Sequence, residues 1–478
     1  MRWRPWLAAP IALALGGCDF APRYVAPSVA VPPKFKDQAA DGGTLPASGM
    51  WWLTFNDRTL NDLQAQVDAA NPDLAAAVAA NDEAVARANA ALSASYPQVD
   101  ANPHFLANKQ SANRPLRSAG QPTYFGDNLL GAQVAYEVDI WGRVRDLVHS
   151  ANATAEASAD ALADARLELH AELARDYVNL RGLDEEAKLF ADTIAIYRSA
   201  LKLTQDRLAA NIASPVDVDR AQTQLSSAEA QLSDLTLNRA TLENSIAALV
   251  GKAAAAFSVS RSSRRLSAPR PPRAVPADVL RNRPDVAESE RLTAAASELI
   301  GASRANFFPK LTLLALGGTQ DTKLRLFDAI NLFGSVGPSI DIPLFDAGLR
   351  QAELEIAKAQ FTQAGENYRA TVLRALKEVQ DEVSSLRWLA EEYDQTATAA
   401  TAAHKAADLS LTLYRDGASS YLDVVTAQSA ALEAEGLAIA LHTRQLVADI
   451  GLMLALGGGW SAPPEPRGKP GLAPYLAE

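Results

Sequence analysis

The chain has 478 residues, 48% of them hydrophobic, and a formal net charge of -11. Its mean hydropathy of -0.07 excludes a polytopic helical membrane protein, but not a β-barrel, whose strands are apolar only at alternate positions. The acidic balance argues against nucleic acid, which selects a basic surface, and a single cysteine, Cys18, excludes an internal disulfide or a cysteine-based metal cluster.

Residues 1–17 carry Arg2 and Arg4, an apolar run from Leu7 to Leu15, and then Gly16-Gly17. This is the pattern of a secretory signal peptide, too short to cross a bilayer permanently. Leu15-Gly16-Gly17-Cys18 looks like a bacterial lipobox and makes Cys18 the expected lipidation site. Each buried acyl CH₂ contributes about 0.8 kcal/mol, so several chains anchor a protein stably. No cofactor beyond this covalent lipid is expected. The five histidines, His104, His149, His170, His404 and His442, show no metal-ligand spacing, so no metal site is predicted.

Residues 18–70 form the lipidated N-terminal segment and part of a mid-molecule region. A first repeat over 71–255 opens on an alanine-rich helix at about 72–94. Two strands follow, at 96–106 and 130–140. In the first, Gln98, Asp100, Asn102 and His104 share one phase, and Val99, Ala101 and Phe105 the other. In the second, Gln133, Glu137 and Asp139 alternate with Val134, Tyr136, Val138 and Ile140. A helix then runs over about 143–208, interrupted only by Gly182, with a shorter helix at 216–250. At 1.5 Å per residue the long helix is about 100 Å, which no globular domain needs.

After a linker at 256–282 the plan recurs as a second repeat over 283–460. It comprises a helix at 284–305, strands at 308–318 and 334–344, a long helix at 349–414 containing Gly365, and a helix at 421–455. The repeat is legible in particular residues. Pro72 precedes Pro97 by 25 positions, as Pro284 precedes Pro309, and Ser214, Asp217 and Val218 match Ser420, Asp423 and Val424. The segment 308–318 is apolar in both phases, so its facing is not fixed. A proline-rich tail, 461–478, ends the chain.

Four strands are too few for a barrel with a lumen, and an open edge in lipid leaves backbone groups unsatisfied at several kcal/mol each. The expected fold is therefore an α+β membrane protein. Three chains, four strands each, close one 12-strand β-barrel that a long α-helical barrel continues.

Several motifs in order resemble the TolC/NodT family of outer-membrane efflux lipoproteins, which serve resistance-nodulation-division pumps. They are Trp51-Trp52 leading to Asn71-Pro72-Asp73-Leu74, then Tyr136-Glu137-Val138-Asp139-Ile140-Trp141-Gly142-Arg143, Arg281-Asn282-Arg283-Pro284-Asp285-Val286, Pro343-Leu344-Phe345-Asp346-Ala347-Gly348, Tyr414-Arg415-Asp416-Gly417 and Leu456-Gly457-Gly458-Gly459-Trp460. The resemblance implies a homotrimer in the outer membrane of a Gram-negative bacterium, lipid-anchored, with its helical barrel in the periplasm. It implies as partners a periplasmic adaptor protein and an inner-membrane pump. It also implies a gate at the periplasmic tip, where rings of acidic residues narrow the duct. Asp423 matches such a position, Asp217 is its equivalent in the first repeat, and Asp219 is a further candidate. Like charges repeated around a lumen favour cations. The same three acids also suit helix N-termini, where they offset the macrodipole.

Arg207, Arg415 and Asp416 are candidates to lock the tip through carboxylate pairs. Asn211, Ile212, Ala213, Gly417, Ala418 and Ser419, in the two tip turns, are candidates for adaptor contact. No nucleophile elbow, phosphate loop or metal motif points to an enzyme. The leading function is export of drugs or other small molecules. The alternatives are an exit duct for type I protein secretion or metal efflux, and a non-conducting lipoprotein that tethers envelope layers.

Overall fold

The computed structural model describes residues 20–37, 49–115, 118, 120–269 and 282–461. The signal peptide, Cys18 and the tail from 462 onward lie outside the described residues. In chain order the elements are α1 (Arg58–Ala70), α2 (Pro72–Ser93), β1 (Gln98–Ala101), β2 (His104–Lys109), β3 (Tyr124–Val138), α3 (Arg143–Ala209) and α4 (Pro215–Leu249). They continue with α5 (Pro284–Ala305), β4 (Lys310–Asp321), β5 (Leu332–Asp341), α6 (Leu349–Arg415) and α7 (Tyr421–Ala455).

The two long helices, α3 and α6, have 67 residues each, and α4 and α7 have 35 each. Each long helix starts at a glycine in the left-handed region, Gly142 at φ 82° and Gly348 at φ 90°. An aspartate just upstream accepts from the free amides of the first turn. Asp139 takes Val144 N–H at 3.1 Å and Arg145 N–H at 2.9 Å, and Asp346 takes Arg350 N–H at 3.2 Å. That satisfies donors a helix start otherwise leaves open. The aspartate and glycine of the two strand-to-helix motifs are therefore parts of a helix cap. Of the described helices, only α7 is long and apolar enough to cross a membrane, and 56% of its apolar window is buried against the rest of the chain.

Gly182 does not break α3. A Cβ there would lie 2.4 Å from Thr443 Oγ1 of α7, so glycine allows the two helices to approach. At Gly365 in α6 the nearest atom to such a Cβ is Pro27 Cγ at 3.6 Å, an ordinary contact. Gly182→Leu should therefore cost about 1–3 kcal/mol by overpacking. Gly365→Ala should be neutral or stabilise by up to about 1 kcal/mol through the unfolded chain. Thermal unfolding of the two variants checks both signs, and a larger loss at Gly365 would contradict the packing.

The strands form one antiparallel sheet in which β3 pairs with β1, β2 and β4, and β4 with β5. The first expected strand, 96–106, runs instead from Gln98 to Lys109. It is divided by Asn102 and Pro103, but its register against β3 continues unchanged on both sides. Proline lacks the N–H a ladder needs. The other strands also differ from the alternating segments by a few residues at each end. Backbone pairing continues where side-chain alternation has stopped.

Register fixes the facing that sequence left open in 308–318. Val99, Val134, Ala315 and Val336 line up across all four strands, and Tyr136, Leu313 and Pro338 across three. On the opposite face lie Asp100, Gln133, Leu316 and Ser335, with Glu137, Thr312 and Ser339. One face is a continuous apolar band and the other is mixed and polar. Neither is covered by another layer among the described residues: Val99 is 69% exposed and Val336 87% on one face, and Asp100 and Gln133 are exposed on the other.

The main core lies well away from the sheet. It gathers Trp51, Trp52 and Phe55 from the 3-10 turn Trp51–Phe55, Leu60, Leu63 and Val67 of α1, Leu173, Tyr177 and Leu180 of α3, Ile246 of α4, and Ile450 and Met453 of α7. Val259 and Leu266 belong to the same cluster, so the described part of the expected linker is packed into it. A buried ionic network holds that stretch. Asp184 accepts from Arg239 Nε at 2.7 Å, from Arg181 at 2.9 Å and from Ser262 N–H at 3.1 Å. Arg181 and Arg239 also donate to the carbonyls of Ser260 and Val259. Asp57 caps α1 through Leu60 N–H and accepts from Tyr177 Oη at 2.8 Å. Burial alone would raise the Asp57 carboxyl, but those two bonds and the charges of Arg181 and Arg264 outweigh it and hold the group below its usual range.

A second buried acid has the opposite environment. Asp449 of α7 is 3% exposed, and its Oδ1 has no hydrogen-bond partner among the described residues. Burial first, and then the charge of Glu382, push its carboxyl up to about 8. In the unfolded chain an aspartate titrates near about 3.9. The native state thus keeps a proton that the unfolded state releases, so stability falls as pH rises from about 4 to about 8. Asp449→Asn should melt with the wild type at about pH 4 and above it at about pH 9. Melting curves that stay parallel across that range would refute the assignment.

Candidate gate at the helical tip

The far end of the helices consists of two turns. The α3/α4 turn spans 210–214 and the α6/α7 turn 416–420. Asn211, at φ 57°, and Gly417, at φ 79°, reverse the chain in the left-handed region. Each following helix opens on a capping box. Ser214 accepts from Val216 N–H, while Asp217 reaches back to Ser214 N–H at 3.3 Å. Ser420 accepts from Asp423 N–H, while Asp423 takes both the amide of Ser420, at 3.0 Å, and its hydroxyl, at 2.8 Å.

Of the three expected acidic positions, Asp217 and Asp423 are therefore helix caps within the chain. Asp217 is half-buried and sits 3.7 Å from Arg220, whereas Asp423 and Asp219 are exposed. Asp219 and Arg220 line a groove of about 880 Å³ between α4 and α7, with Phe190 and Tyr197 of α3 in its wall.

The tip lock differs from expectation. Arg207 pairs with no carboxylate among the described residues. Its guanidinium lies 4.5 Å from the centroid of the Tyr414 ring and donates to the Tyr414 carbonyl. It thereby ties the end of α3 to the end of α6, joining the two hairpins. Arg415 likewise has no carboxylate within ion-pair distance among the described residues. It lines a second groove, of about 640 Å³, with His404, Asp408 and Glu435. Asp416 is the exposed C-cap of α6. Ion pairs form only where register brings two charges together, and here register delivers an aromatic face and a carbonyl to Arg207.

The sequence motifs include Tyr414, but assign neither it nor Tyr421 a part in the tip. Both are buried, at 4% and 2% exposure, with ring centroids 5.3 Å apart, and they pack with Ala200, Ala221 and Val424 at the junction of all four helices. Burial, followed by the neighbouring Tyr414, Tyr197 and Asp217, pushes the Tyr421 hydroxyl up to about 12, so it stays neutral. The available signal was an aromatic pair flanking a Gly-Ala-Ser-Ser turn. The turn residues Asn211, Ile212, Gly417 and Ala418 are exposed, with Ile212 at 66%, while Ala213 and Ser419 are half-buried.

A single-layer sheet whose two edges are unpaired among the described residues, set on helices of 67 residues that end in capped turns, defines the protomer of a membrane channel rather than a closed globular domain. The family described as "Outer membrane efflux protein" matches residues 63–252 and 275–458, and the chain belongs to that family. It is thus an outer-membrane efflux protein of the TolC/NodT type found in Gram-negative bacteria. It is 27% identical over 459 residues to the cation efflux system protein CusC of Escherichia coli O6:H1, covering 94% of this chain and 97% of that one. It is 29% identical to the antibiotic efflux pump outer membrane protein ArpC of Pseudomonas putida, covering 95% of each. The solved outer-membrane channel OprN superposes with a TM-score of 0.86 at 27% identity, over 93% of this chain and all of that one.

Proposed function

We propose that three copies of this chain form the passive exit duct of a tripartite efflux assembly, carrying drugs or other small molecules from an inner-membrane pump through a periplasmic adaptor to the exterior. One observation carries the reading: the sheet has an apolar band on one face, no covering layer and unpaired edges at β5 and at β1–β2. In lipid such edges must pair, and joining β5 of one copy to β1–β2 of the next gives a closed, even-numbered barrel of 12 strands. The two halves of each chain act as repeats of one unit. Lipid on Cys18 adds an anchor, and resistance-nodulation-division pumps are the matching inner-membrane class.

In this reading the duct closes at the tip. Asp217 and Asp423, and with them Asp219, ring the entrance in three copies and select cations. The Arg207–Tyr414 contact holds the closed state, with Arg415 and Asp416 beside it. Asn211, Ile212, Ala213, Gly417, Ala418 and Ser419 meet the adaptor. Adaptor binding shifts a two-state equilibrium toward the open form.

Single-channel recording in planar bilayers tests this, with Asp217→Asn plus Asp423→Asn as the variant. Asparagine can still accept from the serine amides, so charge is removed with the caps retained. We expect small cation-selective conductance in the wild type and loss of that selectivity in the variant. Unchanged selectivity would move the constriction elsewhere. An inserted trimer that never conducts would leave the tethering lipoprotein as the better reading.

A further inference from the structure

No spacing in the sequence marks a metal site, but the fold brings three potential ligands together where the sheet meets the helices. Asp146 and His149 stand three residues apart on the first turns of α3, and Glu298 faces them from α5. One ligand atom from each lies within 4.8 Å of the other two. His149 Nδ1 is 3.6 Å from Glu298 Oε2, too long for a hydrogen bond. It is close to the edge of a tetrahedron whose bonds are about 2.1 Å, which is about 3.4 Å.

The surroundings suit a cation. Asp146 is 2% exposed and forms the floor, the Glu298 side chain is 23% exposed, and the His149 side chain, at 58%, leaves one side open to solvent. Two carboxylates and a neutral imidazole form a set of hard and borderline donors without sulfur. Three protein ligands leave a fourth position for water.

The placement is built rather than incidental. Gly301, one turn beyond Glu298, is where a Cβ would come within 2.2 Å of Asp146 Oδ2 and 2.7 Å of Ala21 Cα. Glycine there lets Asp146 and the N-terminal segment both lie against α5. Phe20 next to it stacks on Phe308 with centroids 4.6 Å apart, and Arg304 donates to its carbonyl at 2.9 Å. Three stretches remote in sequence therefore converge on one point: the start of α3, the middle of α5 and the N-terminal segment.

We propose that Asp146, His149 and Glu298 form a structural Zn²⁺ site that staples α3 to α5 beneath the barrel. The ion is resident and distinct from any cargo in the duct, so the inference is independent of the gating reading.

Equilibrium dialysis of the chelator-treated full-length protein in detergent against Zn²⁺ tests it. We expect one Zn²⁺ per chain, and at least about tenfold weaker binding in His149→Ala, since even outer-shell partners of a metal site are worth about 10–100-fold. His404→Ala is the control. That histidine contacts Glu435 at 2.5 Å with no third ligand beside them among the described residues, and its loss should leave binding unchanged. Undiminished stoichiometric binding in His149→Ala, or absence of binding by the wild type, overturns the proposal. Should His149→Ala fail to fold, Co²⁺ titration of the wild type decides. A visible absorption band that saturates at one equivalent and is displaced by Zn²⁺ supports the site, and a featureless titration overturns it.

Discussion

Asp184→Ala is expected to destabilise the protein by about 3–5 kcal/mol, because removing one member of a buried ion network leaves the others uncompensated in low dielectric. The side chains of Asp184, Arg181 and Arg239 are 2%, 7% and 7% exposed. Without the carboxylate, two guanidinium groups would remain buried against Val259 and Ser260 carbonyls, with Glu243 the one acid among the described residues still bonded to Arg239. The extended stretch around Val259 should loosen first, since Ser262 N–H also depends on Asp184. Denaturant unfolding measures the loss, and hydrogen exchange across 257–266 locates it. The Lys188–Asp192 pair, 57% and 64% exposed, is the comparison. Asp192→Ala should change stability by under about 1 kcal/mol. Equal effects at the two aspartates would show that burial does not set the energetics here.

If the Arg207–Tyr414 contact holds the duct closed, as proposed, Arg207→Ala is expected to shift it from mostly closed to mostly open. A hydrogen bond from a charged donor is worth about 1.5–3 kcal/mol, and a guanidinium over an aromatic face adds about 0.5–1 kcal/mol. The proposed trimer would make the contact three times over. A difference of about 5.5 kcal/mol takes a two-state equilibrium from 1:99 to 99:1, so the summed loss is large enough to invert the balance. Bilayer recordings should show open occupancy rising by about a hundredfold or more. Arg207→Lys should fall between, because an ammonium can still reach the Tyr414 carbonyl but cannot stack as a planar fork. Occupancy unaffected by Arg207→Ala would sink the lock.

Much of the architecture was legible because its causes are local. Ser214 and Ser420, each three residues before an aspartate, announce helix starts by a capping mechanism that needs no tertiary partner. The long helices are unbroken runs of good helix formers without internal proline, and their observed ends fall within a residue of those read from sequence. Alternation in 130–140 gave β3 its facing, because one phase there is polar. The candidate gate was legible only in part. Its turns and acids were marked by composition, but the partner of Arg207 was not.

Sequence by itself determined which stretches are helix, strand or turn, and it marked four strand-length segments, from which the expectation of a shared barrel follows. Backbone propensity, capping and side-chain period act over a few residues and are written there. Only the tertiary structure decided the rest. It placed Leu311 and Leu313 on the apolar face and Thr312 and Leu316 on the other, which an all-apolar strand cannot specify alone. It made Gly182 a contact with α7 rather than a break. It gave Arg207 a tyrosine instead of a carboxylate, and set Asp146 and His149 against Glu298. Each of these depends on residues far apart in the chain meeting at a particular register, and register is set by the packing of whole elements.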